Sequence, residues 1–329
     1  MSTLDLPNLI HELGRGARGA RPLSRDDTRD LFAAMLDGRI ADLELGGILI
    51  AYRIKGETAD ELAGMLDACQ ANLAHVAAPS DARAMPVVIP SYNGARKLPN
   101  LTPLLAMALA ARDIPVLVHG DAVDGWGRIA SASVFAALGV HACSDIADVE
   151  LALQTRRVAF APIEVLSPAL ARLIALRDRL GVRGPAHTLV KLIQPFAAPA
   201  LRLVNYTHPQ YRDEMTRLFL DARVAGAAGV LLARGSEGEA VADPRRQVAI
   251  EWLRDGAATT LVEAAPGDGV VPELPPSREA DPTARWIERA LADESLLPPP
   301  LRRQIETIVG ICKTNNNTRA ASTAREGAV

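Results

Sequence analysis

The chain is predicted to fold as an α/β protein: a small N-terminal helical domain over residues 1–80, a larger domain over 81–312, and a disordered tail over 313–329. The larger domain is expected to hold a mostly parallel central sheet flanked by helices. Three observations lead there. Capped amphipathic segments fill the first 75 residues; apolar runs of strand length alternate with helical stretches from Pro86 onward; and only 4% of the 329 residues are aromatic. Continuous apolar strands separated by helices are the pattern of a sheet covered on both faces. So few aromatics disfavour an all-β sandwich and a single-strand binder built on a stacking platform.

In the first domain, Ser24 precedes RDDTRDLFAAMLDG, with Asp27 three residues on as a variant capping box and Gly38 as terminator. Asp42 to Ile54 places Leu45, Ile48, Leu49 and Tyr52 at helical spacing, and Gly56 closes the run. Thr58 opens a third helix with Leu62, Met65, Leu66, Cys69 and Leu73 on one stripe. Three short helices cannot bury all their apolar surface alone, so they are expected to pack on the rest of the chain or on a second copy.

In the second domain, strands are expected at Val87–Ile89, Val116–Val118, Val158–Phe160, Leu201–Tyr206, Gly229–Leu232 and Thr259–Val262. Helices are expected near 101–111, 129–138, 168–180 and up to about Val224. Residues 265–282, rich in Pro and Gly, read as a loop. Helices near 283–291 and 301–311 close the domain, and the polar stretch from Lys313 reads as the tail.

The formal charge is −3, with 36 Lys and Arg against 39 Asp and Glu, which excludes a small, strongly basic nucleic-acid module. The charge is unevenly placed. Residues 76–250 carry 19 Lys and Arg against 15 Asp and Glu, whereas residues 1–75 carry 8 against 12 and residues 251–329 carry 9 against 12. The middle is therefore basic between acidic ends, and all but four of the chain's cationic side chains are arginine. Cys69, Cys143 and Cys312 are widely spaced and odd in number, which points to buried thiols in a reducing compartment and to no structural zinc. The first residues lack the basic and apolar regions of a signal peptide, so a cytoplasmic location and no membrane partner are expected.

The helical start, the segment Tyr52-Arg53-Ile54-Lys55-Gly56-Glu57-Thr58 and the order of the later strands and helices resemble the anthranilate phosphoribosyltransferase family, of glycosyltransferase family 3, over roughly residues 8–312. The resemblance implies a nucleoside phosphorylase/phosphoribosyltransferase-like fold, a homodimer through the helical domain, and phosphoribosyl pyrophosphate with magnesium as the family's ligands. The pocket motifs depart from that pattern. Where the family's glycine-rich pyrophosphate loop should follow the first strand stands Pro90-Ser91-Tyr92-Asn93-Gly94. Proline has no N–H to donate, and Tyr92 and Asn93 fill space that glycines leave open. After the second strand, His119-Gly120-Asp121 lacks both family cations and adds a carboxylate that repels phosphate. His187 stands at the arginine associated with anthranilate, Lys191 replaces an asparagine, and Ala240-Val241 falls where the magnesium-holding Asp-Glu pair should be. For nearby Glu237 and Glu239, loop hydrogen bonding is expected ahead of metal holding.

Pro90-Ser91-Tyr92-Asn93-Gly94-Ala95-Arg96-Lys97 and Arg234-Gly235-Ser236-Glu237-Gly238-Glu239 resemble the YbiB-type branch of that family. That resemblance implies a DNA-binding homodimer of low sequence specificity, with RNA and single strands also open as ligands, and no transferase activity. The expected phosphate contacts are Arg96, Lys97, Arg183, Lys191, Arg202, Arg234, Arg245 and Arg246. A stripe through Arg172, Arg177, Arg179 and Arg183 and the pair Arg156-Arg157 would enlarge that surface. Tyr92, Asn93, Gly94, His119, Gly120 and His187 form the expected vestigial pocket. No catalytic residue, metal ligand or cofactor is assigned, and the chain is expected not to be an enzyme. The competing expectations are a phosphoribosyl or nucleoside transferase with a modified pocket, and a scaffold that binds a small phosphorylated ligand.

Overall fold

A computed structural model describes residues 4–16, 19–266 and 272–326, with side chains through residue 313. Four helices come first: α1 (Leu6–Leu13), α2 (Arg25–Leu36), α3 (Asp42–Lys55) and α4 (Ala59–Ala71). The chain then alternates through β1 (Val87–Ser91), α5 (Thr102–Ala110), β2 (Val116–Gly120), α6 (Ser131–Ala137), α7 (Ile146–Arg156) and β3 (Val158–Pro162). Four short helices follow: α8 (Ile163–Leu166), α9 (Pro168–Ala175), α10 (Arg177–Leu180) and α11 (Ala186–Leu189). The remainder runs β4 (Leu201–Tyr206), α12 (Pro209–Leu220), α13 (Ala222–Ala225), β5 (Val230–Arg234), β6 (Ile250–Arg254), β7 (Ala257–Val262), α14 (Ala280–Ala292) and α15 (Pro299–Glu326).

Two compact units result. The helical unit comprises residues 1–74 and 166–195, and the other comprises 75–165 and 196–329. The return of 166–195 to the helical unit departs from the contiguous division at residue 80. Its cause is local pairing: Gln194 N donates to Gln70 Oε1 at 2.7 Å, Gln70 Nε2 donates back to Gln194 O at 3.1 Å, and Ala74 N donates to Leu166 O at 2.8 Å. The predicted caps of α2 and α4 are present, Ser24 Oγ accepting from Asp27 N and Thr58 Oγ1 from Glu61 N. Helices α2 and α4 pack so closely that a Cβ on Gly64 would meet Arg25 O at 2.2 Å.

The Tyr52–Thr58 segment is a structural junction of this unit. Lys55 Nζ lies 2.5 Å from Glu61 Oε2, and the fully buried Glu61 carboxylate also accepts from Leu23 N and Thr58 N, each at 3.0 Å. One carboxylate thus joins the end of α3, the cap of α4 and the approach to α2, with its charge met by an ammonium and two amides.

In the second unit the sheet order is β3-β2-β1-β4-β5-β6-β7. The first five strands in that order pair in parallel, and β6 and β7 add an antiparallel hairpin. Val87, Ile89, Val116, Val118, Phe160 and Leu201 join α5, α6, α14 and α15 residues in one buried core. Strand order turns at β1, whose successor in the chain lies on one side and β4 on the other, so the crevice beyond the carboxyl ends of β1 and β4 is the topological switch point.

Strand β6 is an addition to the expected set, and α15 corrects the expected tail. The helix continues through Glu326, so residues 313–326 are helical and 327–329 lie outside the described residues. The expected loop at 265–282 ends at Ala280, where α14 begins, and its residues 267–271 also lie outside the described residues. Cys69, Cys143 and Cys312 are buried free thiols. Among the described residues no helix is long and apolar enough to cross a membrane.

Candidate functional site

The loop after β1 and the loop after β5 meet at the switch point, and they do so through carboxylates. Glu239, 2% exposed, accepts from the backbone N–H of Asn93 at 2.8 Å and of Gly94 at 2.7 Å. Glu237 accepts from the N–H groups of Arg96 at 2.7 Å, Lys97 at 3.0 Å and Leu98 at 3.2 Å. Five amides of one loop, the kind of donors that cradle a phosphate, are thereby turned onto the chain's own acidic side chains. Partial burial opposes ionisation of Glu237, but the amides of Arg96, Lys97 and Leu98, with the positive Arg128, outweigh it and hold the carboxyl below its ordinary range.

Backbone geometry explains why both motifs have the residues they do. Glu237 and Gly238 form a tight turn, both at positive φ (52° and 92°), closed by Glu239 N donating to Ser236 O at 2.9 Å. The Gly238 carbonyl accepts from Asn93 Nδ2 at 2.7 Å and Asn205 Nδ2 at 2.8 Å. A Cβ on Gly238 would overlap Asn93 Nδ2 at 1.8 Å, so the observed place of Asn93 leaves room only for glycine at 238. The two sequence motifs are the two halves of a clasp.

Below the clasp, Tyr92 Oη lies 2.7 Å from His119 Nδ1, with the rings edge-on. His119 is fully buried, and burial pushes its imidazole down to about 3. Burial likewise raises the Tyr92 phenol well above its ordinary value. His119 is neutral at pH 7 and serves as a packed hydrogen-bonding residue. Because its folded value lies below the ordinary 6.5, the unfolded chain takes up a proton first as pH falls. This residue is therefore expected to remove about 2–3 kcal/mol of stability between pH 7 and pH 4.5. Urea unfolding of His119→Gln at both pH values checks this, since the variant should show a shallower loss.

The predicted cations do not share one fate. Arg96 and Lys97 are exposed on the clasped loop, and Arg234, Arg245 and Arg246 are exposed at the end of β5 and beyond it. Arg245 and Arg246 both pair with Asp243, at 3.0 and 3.2 Å. Arg183, His187 and Lys191 belong to the helical unit, where His187 Nδ1 accepts from Gly184 N at 3.3 Å. Burial, followed by the positive Arg183, lowers His187 to about 4.

Arg202 is a correction. It is 4% exposed on β4, donates to Val224 O at 2.5 Å and Ala225 O at 2.7 Å, and lies over the Phe219 ring. No phosphate reaches it, because a central strand position facing a covering helix is interior whatever the residue type. The arginine stripe also breaks up: Arg172 Nη2 donates to Leu36 O at 2.6 Å, and Arg179 contacts Asp42 at 3.3 Å. Arg157 is held at 2.7 Å by both Asp81 and Asp113.

Three residues that the sequence does not single out join the site. Arg128 Nη1 donates to Gly94 O at 3.2 Å; Arg278 Nη1 donates to Arg96 O at 2.7 Å and to Gly127 O at 2.9 Å; and Trp126 sits on the turn between them. Ala240 and Val241, buried, offer no oxygen side chain for magnesium, and among the described residues no three His, Cys, Asp or Glu gather as a metal site. The residues present therefore do not fit a magnesium pyrophosphate bound in the manner the resemblance implies.

Comparison with known proteins places the molecule. Residues 7–72 match the model described as glycosyl transferase family, helical bundle domain. The chain is 40% identical over 92% of its length to the uncharacterised protein YbiB of Escherichia coli strain K12, covering 92% of that protein. It is 30% identical over 74% of its length to anthranilate phosphoribosyltransferase of Methylocella silvestris, covering 68% of that enzyme. Among solved structures, anthranilate phosphoribosyltransferase of Thermus thermophilus superposes with a TM-score of 0.65 at 20% identity, covering 95% of this chain and 96% of that one. The expectation that the chain is not an enzyme is overturned by the relatives and structural neighbours that are anthranilate phosphoribosyltransferases.

Proposed function

The chain belongs to the anthranilate phosphoribosyltransferase family of two-domain glycosyl transferases, and from that premise we propose that it binds the phosphate backbone of nucleic acid, with little sequence preference, through cations grouped around the 92–98 loop. The observation that carries the reading is the clasp. With the loop amides taken by Glu237 and Glu239, an incoming phosphate is left to meet side chains: Arg96 and Lys97 on the loop, with Arg128, Arg245 and Arg278 beside it. Such contacts release counterions and read no base. DNA, RNA and single strands all present that backbone.

The reading includes a homodimer, which sets two such surfaces on one ligand and gains from multivalency. It is supported by the exposed apolar stripe of α3, where Leu43 is 85% and Ile54 62% exposed with Ile50 between them. An anisotropy titration with a labelled oligonucleotide at two salt concentrations tests the proposal. Affinity should fall steeply with salt, and Arg96→Ala with Lys97→Ala should weaken binding about tenfold and reduce the salt slope by about 2 while leaving the melting temperature unchanged. Absence of binding at low salt, or binding insensitive to salt, would sink the reading.

The relatives give more direct support to a second reading, a phosphoribosyl or nucleoside transferase with a modified pocket. It requires Glu237 and Glu239 to leave the loop amides when a phosphorylated substrate arrives. Product formation from phosphoribosyl pyrophosphate and magnesium, abolished by changes within residues 90–97, would establish it.

A further inference from the structure

Trp126 is 66% exposed and holds φ of +55°, a left-handed conformation that bulky side chains rarely adopt. With Gly127, at φ +68°, it forms the tip of a tight turn closed by Arg128 N donating to Gly125 O at 3.0 Å. The turn is fastened to the clasped loop. Ala95 and Ile129 exchange backbone hydrogen bonds at 2.8 and 2.9 Å, and the Arg278 guanidinium bridges Gly127 O and Arg96 O. A chain with three tryptophans thus spends one on the solvent side of a strained turn, next to Arg128 and on the turn that Arg278 ties to the Arg96 backbone. The low aromatic content disfavours a platform of many rings, and the fold exposes this one indole beside cations.

We infer that Trp126 is a stacking platform for the bases of single-stranded nucleic acid, and so biases this surface toward single strands over duplexes. The inference rests on the nucleic-acid reading and sharpens it. Cations supply backbone attraction common to every nucleic acid, whereas an indole face rewards only a base that is unstacked and free to turn onto it. The acidic groups nearby do not cancel this. Asp124 Oδ1 accepts from Ala130 N and Ser133 Oγ at 2.6 and 2.8 Å, Glu279 lies 3.5 Å from Arg278, and the clasp carboxylates face the amides.

The test uses the intact protein and three ligands of equal length: oligothymidylate, the same strand with every base removed, and a duplex. Trp286 is buried and Trp252 half-buried, so a change in indole emission on binding reports chiefly on Trp126. Oligothymidylate should quench the emission and bind about tenfold more tightly than the abasic strand. Trp126→Gly relieves the positive φ, so it should fold at least as well as the parent; it should bind both strands with the lower affinity, and Trp126→Phe should recover part of the difference. Equal binding of the two strands by the parent, or a preference that survives in Trp126→Gly, overturns the stacking role while leaving backbone binding intact. If no strand binds at low salt, both readings fall.

Discussion

Replacing Glu237 and Glu239 together by alanine is expected to lower stability by about 3–5 kcal/mol and to make the melting temperature rise with inorganic pyrophosphate well beyond the small rise that the surface cations give the parent. The cost follows from the clasp: the amides of Asn93, Gly94, Arg96, Lys97 and Leu98 lose their acceptors at once. Glu239 carries most of it, since it is almost wholly buried and water cannot readily replace it. Pyrophosphate supplies the oxygens and charge that the substitutions remove, and the loop already has the shape. The Glu237→Gln, Glu239→Gln protein keeps neutral acceptors and should lose about half as much. Acid should act in the same direction. The folded-state value of Glu237 is depressed, so its contribution is complete above the ordinary carboxylate range and is lost as pH falls through the folded value. Thermal unfolding with and without pyrophosphate decides the matter. A double-alanine protein that pyrophosphate does not stabilise would show that the amides are not a cradle; a parent that it stabilises equally would show that the carboxylates swing aside, as the transferase reading requires.

How far the fold and the site can be read from the residues alone divides along physical lines. Parallel strands β1 to β5 are legible because strands buried on both faces must be apolar throughout, and α2 and α4 because Ser24 and Thr58 announce them. Strand β6 escapes the apolar pattern although a turn signal marks its end: Asp255 and Gly256, at φ of 52° and 78°, make the tight turn that joins it to β7. The Tyr52–Thr58 motif reads in the sequence as a family mark, and its physical content is the buried carboxylate of Glu61. The clasp is half legible. Loop hydrogen bonding by Glu237 and Glu239 is expected because they lie in a loop offset from the family's metal-holding position, but the donors lie far back in the chain, in the loop after β1. That meeting depends on which strands adjoin, and strand order is not written in any local pattern. For the same reason Arg128, Arg278 and Trp126 have nothing to distinguish them until the fold brings their turns together.

Arg202 shows why counting cations along a sequence overstates a binding surface, and its substitution separates the two roles an arginine can have. Arg202→Ala is expected to cost about 3–5 kcal/mol, through the cavity over Phe219 and the loss of the donor to Val224 O and Ala225 O at the end of α13. Burial lowers this guanidinium to about 10, which says that its charge is tolerated in the core at some expense. Arg202→Met, which fills the space without a charge to desolvate, should therefore fall well short of the alanine loss, at about 1–2 kcal/mol. Neither change should alter the nucleic-acid affinity or the salt slope of the folded protein, whereas Arg96→Ala with Lys97→Ala should do the reverse. Urea unfolding beside a salt titration on all three proteins reads both quantities. A salt slope that shallows in Arg202→Met would return this residue to the surface and undo its place in the core; an unchanged slope with lowered stability assigns the +4 charge excess of residues 76–250 partly to packing, leaving the exposed arginines and Lys97 to account for any binding.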